Sequence, residues 1–103
     1  MMIARWQIDA RFVYKQEALN CLQRWNDEIA TQIGIDQSKV RLQTGCIGAK
    51  ESTIEMEMQI ENLAQLEDTW KEMSKIEGHN AWSKEMEKFV VSATPVWTIF
   101  RVL

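Results

Sequence analysis

Basic residues are in deficit: 12 Lys and Arg stand against 15 Asp and Glu, a net charge of −3. A nucleic-acid binder needs a basic face to displace counterions from phosphates, so no nucleic-acid partner is expected. No apolar run approaches the ~20 residues of a membrane span, and Met1-Met2-Ile3-Ala4-Arg5-Trp6 meets a charge before the apolar region of a signal peptide can build up. The two cysteines, Cys21 and Cys46, fall in no metal-ligand spacing and read as reduced thiols of a cytoplasmic protein. There is one histidine, His79, which cannot be placed beside the oxygen-rich side chains, so no metal site and no cofactor are expected. What is present is a chain of 103 residues, 46% hydrophobic and 26% charged, which is the balance of one ordinary globular domain spanning residues 1–103.

The most ordered pattern lies at residues 52–61, where Ile54, Met56, Met58 and Ile60 alternate with Thr53, Glu55, Glu57, Gln59 and Glu61. Period-two alternation marks a strand with one face in a core, here against the weak strand propensity of Glu and Met. Residues 3–12 alternate in the same way, with Ala4, Trp6, Ile8, Ala10 and Phe12 opposite Arg5, Gln7, Asp9 and Arg11. Residues 40–44 form a short strand, and residues 96–103, rich in β-branched and aromatic side chains, form the last. Pro95 fits the start of that strand, where no ladder donor is needed.

Between the strands the period becomes helical. Ala18, Leu22, Trp25, Ile29 and Ile33 predict a helix over residues 14–33, with Gly34 as its left-handed cap. Asn62 is a good N-cap, with Gln65 three residues on, and Leu63, Leu66, Trp70 and Met73 predict the buried stripe of a second helix. The pattern breaks near Glu77-Gly78 and resumes over residues 79–89 with Trp82, Met86 and Phe89 inward. Gly45-Cys46-Ile47-Gly48 lacks the pattern of a phosphate-binding loop and reads as turn geometry.

The order strand, helix, strand, strand, helix, strand predicts the ferredoxin-like βαββαβ fold: a four-stranded antiparallel sheet in the order fourth, first, third, second, helices on one face. The other face then gathers Arg5, Gln7, Asp9, Arg11, Arg41, Gln43, Glu55, Glu57, Gln59 and Arg101, acids interleaved with bases. Such a face is either solvated, with ion pairs worth little each, or the closed interior of a homodimer. Trp97 and Ile99 favour the dimer, because a core on the helix side cannot absorb every apolar group of the last strand.

With these elements in view, the whole chain resembles the dimeric α+β barrel superfamily and within it looks NIPSNAP-like. The residues that carry the resemblance are the alternating strand at 52–61, Leu63-Ala64-Gln65-Leu66-Glu67 with Trp70, His79 with Trp82, and Trp97-Thr98-Ile99-Phe100-Arg101. The resemblance implies dimerisation through the sheet face and a small-molecule ligand in a cavity by the sheet, with cofactor-independent oxygenase-like or isomerase-like chemistry as one use. A non-catalytic structural or stress-associated dimer is the alternative. Some relatives degrade haem with an Asn, a Trp and a His, but the first strand here has no Asn and Ile60 stands where the Trp is expected.

The candidate cavity residues are thus Arg5, Gln7, Asp9 and Arg41, the carboxylates Glu55 and Glu57, and His79, Trp97 and Arg101. Glu55, Glu57 and Asp9 suit an acid–base pair if a closed site pushes their pKa values apart. His79 opens a helix and either caps it, facing water, or serves as a base or haem ligand at a cavity mouth. The five tryptophans, Trp6, Trp25, Trp70, Trp82 and Trp97, stand at core-like spacings and read mostly as packing, with Trp97 the best candidate to line a cavity.

Overall fold

The computed structural model describes all residues, 1–103. Strands β1 (Met2–Asp9), β2 (Val40–Thr44), β3 (Thr53–Ile60) and β4 (Val96–Arg101) form one sheet in the order β2-β3-β1-β4, every neighbouring pair antiparallel. The expected order is therefore the observed one. The two most regularly alternating stretches are the central strands, because only there must a whole face be buried on both sides. Their register sets Ala4 opposite Met58, Trp6 opposite Met56 and Ile8 opposite Ile54. Ala4, Ile8 and Ile54 lose all contact with solvent beneath the helices.

Helix α1 (Lys15–Arg24) does not run uniformly to residue 33 as the periodicity predicts. It passes into a π-helical turn, Trp25–Ile29, and then a 3₁₀ turn, Ala30–Ile33. The Ala30 amide bonds to the Trp25 carbonyl, and this wider turn lets both Trp25 and Ile29 bury themselves while Ala30 follows them inward. Gly34 ends the segment at φ 74°, the left-handed cap read from sequence. Helices α2 (Leu63–Ser74) and α3 (Glu77–Glu87) complete the layer.

Two expectations fail for identifiable reasons. Phe12 is not on a strand face: β1 ends at Asp9, Ala10 makes an isolated bridge to Val90, and a turn closed by the Tyr14 amide on the Arg11 carbonyl leaves Phe12 93% exposed. Val13 in that turn has φ 65°, a strained conformation for a β-branched residue. In α2 only Leu66 is fully buried, whereas Leu63 is exposed and Trp70 lies at the rim, because the helix reaches past the sheet's covered centre. In the loop between β2 and β3, Gly45 is demanded by close backbone approach: a Cβ there would stand 1.8 Å from the Lys50 carbonyl oxygen.

Asn62 caps α2 as expected. Its Oδ1 accepts the Gln65 amide at 2.8 Å, while Gln65 Oε1 accepts the Glu61 amide at 2.6 Å. Asn62→Ala should cost about 1 kcal/mol in a urea unfolding titration. The thiols divide by burial: Cys21 is buried on α1, where desolvation first and Glu85 next raise its pKa, and Cys46 is exposed in its loop. An aromatic disulfide reagent should therefore titrate one thiol per chain in the native protein and two after denaturation.

Candidate functional site

The open face of the sheet is built by register. Arg5 stands between Glu57 of β3 and Thr98 of β4, and Arg41 of β2 is the other neighbour of Glu57. Arg5 donates to Glu57 Oε1 from Nε at 3.0 Å and from a terminal nitrogen at 2.6 Å; Arg41 donates to Oε2 at 2.5 Å. Gln43 adds bonds to Glu55 at 2.6 Å and to Glu57 at 3.2 Å. Beneath these side chains Glu57 is only 6% exposed, the one buried charged residue of the chain. Burial pushes its carboxyl up, but the hydrogen bonds and charges of Arg5 and Arg41 outweigh it and hold the group below the usual carboxylate range.

One row along, Gln7 faces Glu55, and Asp9 accepts a 2.9 Å hydrogen bond from the Thr53 hydroxyl with Lys50 4.0 Å away. A polar recess of about 640 Å³ opens here under the Gly45–Lys50 loop. So the structure brings together Arg5, Gln7, Asp9, Arg41, Glu55 and Glu57. Each of the three carboxylates already has a partner, which is the arrangement of a neutralised face.

The other three candidates lie on the opposite side of the sheet. Arg101 pairs with Met2 and so shares the parity of Trp97 and Ile99; it is exposed on the helix side at the sheet edge, not on the polar face. Parity fails as a guide in β4 because apolar residues occupy both alternations, Val96 and Phe100 on one face and Trp97 and Ile99 on the other. The open face consequently carries exposed Val96 and Phe100, with the Arg5 guanidinium 5.0 Å from the Phe100 ring centre.

Trp97 and His79 line a cavity of about 220 Å³ between sheet and helices. All five tryptophans meet at its wall: Trp6 from β1, Trp25 from the π turn, Trp70 from α2, Trp82 from α3 and Trp97 from β4. Met56, Met58 and Met73 fill the spaces between them, and no Asp, Glu, Lys or Arg is among the lining residues. Trp70 and Trp97 meet edge to face at 5.4 Å and remain 39% and 37% exposed, so they form the mouth. Trp82 is the floor, 6.3 Å from Trp6 and 6.1 Å from Trp25, with its N–H donated to the Cys21 carbonyl at 2.7 Å.

His79 is half-buried, and its side chain does not cap its helix. Its ring stacks on Trp82 at 5.7 Å, and Nδ1 accepts the Trp25 indole N–H at 3.1 Å. Nδ1 is thus unprotonated and the neutral ring carries its proton on Nε2. Burial holds the imidazole below its ordinary pKa, so the neutral form prevails at neutral pH. Sequence spacing could not reveal this cavity, because each tryptophan comes from a different element.

An antiparallel sheet in the order β2-β3-β1-β4 with its helices on one face is the ferredoxin-like α+β fold. Within that class the chain is similar to NIPSNAP proteins of known structure over its whole length. A NIPSNAP family protein from Agrobacterium tumefaciens str. C58 matches with TM-score 0.79 at 15% identity, covering 100% of this chain and 94% of that one. A NIPSNAP-like domain protein from Burkholderia xenovorans matches at 0.77 and 13%, covering 99% and 84%. A dimeric protein of unknown function and ferredoxin-like fold from Bacteroides fragilis NCTC 9343 matches at 0.65 and 14%, covering 98% and 96%. No protein-family model and no curated protein matches the sequence. No helix is long and apolar enough to cross a membrane.

Proposed function

We propose that the protein is a homodimer, paired through the open face of its sheet, that binds a small molecule in the tryptophan-lined cavity on the helix side. The observation that carries the binding reading is the convergence of all five tryptophans and the lone histidine on one 220 Å³ cavity from five separate elements. Packing alone gives no reason to leave that wall unfilled, since interiors close to crystal density. Any oxygenase-like or isomerase-like chemistry there has one titratable group at hand, His79, whose acceptor nitrogen is held by Trp25 and whose Nε2–H can donate to a guest. A thermal-shift screen with small ring compounds tests the reading: a ligand of the folded state must raise the melting temperature, and Trp97→Ala at the mouth should reduce the shift.

Pairing through the sheet face is supported by exposed Val96 and Phe100 beside a charge-neutralised row, and by the dimeric ferredoxin-like relative from Bacteroides. A non-catalytic structural or stress-associated dimer is the second reading, favoured by carboxylates that are all engaged and leave no free acid–base pair on that face. Sedimentation at micromolar concentration should show a species of twice 12.1 kDa, and a 12.1 kDa species alone would end the dimer proposal.

A further inference from the structure

The chemistry of the cavity wall restricts what it can hold. A dry apolar cavity of about 150 Å³ accepts benzene, so 220 Å³ takes one ring or two fused rings. Indoles and thioethers offer flat, polarisable surface to a planar guest. A charged guest would surrender its hydration with no opposite charge in the wall to replace it. Of the polar groups, the Trp25 and Trp82 N–H bonds are spent inside the chain, and His79 Nδ1 is occupied by the first of them. His79 Nε2–H, the indole N–H groups of Trp6, Trp70 and Trp97 and the hydroxyl of exposed Ser83 remain, and of these only Ser83 can accept as well as donate.

Resting on the reading of this cavity as the binding site, we propose that its ligand is an uncharged planar molecule of one or two rings bearing a hydrogen-bond acceptor, oriented by donation from His79 Nε2–H. A tryptophan wall also attracts cations without a carboxylate, so the test must separate the two chemistries.

Isothermal titration of the full chain near neutral pH with quinoline, naphthalene, 2-naphthoate and phenyltrimethylammonium does so. Quinoline should bind roughly threefold to tenfold more tightly than naphthalene, the worth of one hydrogen bond. The anion and the cation should both bind more weakly than quinoline. His79→Phe keeps the ring area and should erase the preference for quinoline while leaving naphthalene affinity within about twofold of wild type. His79→Gln, which restores an N–H donor, should recover part of it, and melting curves of both variants report whether they remain folded. Tighter binding of the ammonium or the naphthoate would overturn the ligand class. A quinoline preference that survives in folded His79→Phe, or is absent from the wild type, would overturn the role of His79. If none of the four binds, the cavity reading itself fails, a different outcome from failure of the ligand class.

Discussion

Trp82→Ala should destabilise the protein by about 3–5 kcal/mol, the largest effect of any single truncation considered, as is usual for emptying a buried aromatic site. Trp82 is 8% exposed and touches three other rings of the cavity, Trp6, Trp25 and His79. Its loss would also remove one of the two hydrogen bonds to the Cys21 carbonyl, which accepts the indole N–H at 2.7 Å and the Trp25 backbone amide. Trp82→Phe keeps most of the apolar contact and loses the hydrogen bond, so about 1–2 kcal/mol is expected. Trp97→Ala removes a partly exposed ring from the mouth and should cost less than Trp82→Ala while weakening ligand binding more than its stability loss would suggest. Urea unfolding of the three variants orders these effects; a Trp82→Ala loss below about 1 kcal/mol would mean that the ring is not packed as described.

Arg5→Met should cost about 2–4 kcal/mol, because removing one partner of a buried pair leaves a charge without compensation. Arg5 supplies two of the hydrogen bonds to Glu57, and the remaining ion-pair partner, Arg41, is 70% exposed at its side chain and held less firmly. Glu57→Gln should cost less, since the two arginines left behind reach water more readily than Glu57 does. On a solvated face both changes would fall within about 0–1 kcal/mol, and such a result would remove the closed sheet-face interface with it. The pH dependence has a definite sign. The Glu57 carboxyl is held below its ordinary 4.5 in the folded chain, so its contribution is full above that value and is lost as pH falls through the folded value. Arg5→Met should therefore flatten the acid limb of the stability curve.

Most of the architecture was legible because burial of one sheet face imposes alternation on β1 and β3, and a left-handed cap demands Gly34. Asn62 and Gln65 marked the start of α2 for the same reason: orphan amides need those side chains. The failures arose where local pattern and tertiary position part company. Phe12 continues the alternation of β1, yet the backbone has already turned at Arg11–Tyr14. Arg101 takes its face from pairing with Met2, not from the composition of a strand apolar on both sides. Of the ten residues assigned to the polar face, Arg5, Gln7, Asp9, Arg41, Gln43, Glu55, Glu57 and Gln59 share it by register, whereas Arg11 lies past the end of β1 and Arg101 on the helix side. The cavity was not legible as a single site, because five tryptophans that look like separate core residues meet only when sheet and helices close.

Five indoles also provide five separate reporters. In a two-dimensional nitrogen–proton spectrum of labelled protein titrated with quinoline, the indole N–H signals of Trp6, Trp25, Trp70, Trp82 and Trp97 should move together and saturate, with Trp25 responding strongly because its N–H is bonded to His79. The backbone signals of Gln43, Lys50 and Glu55, across the sheet at the polar recess, should stay in place. Movement of those backbone signals with the five indoles unchanged would put the ligand on the polar face and contradict the helix-side site.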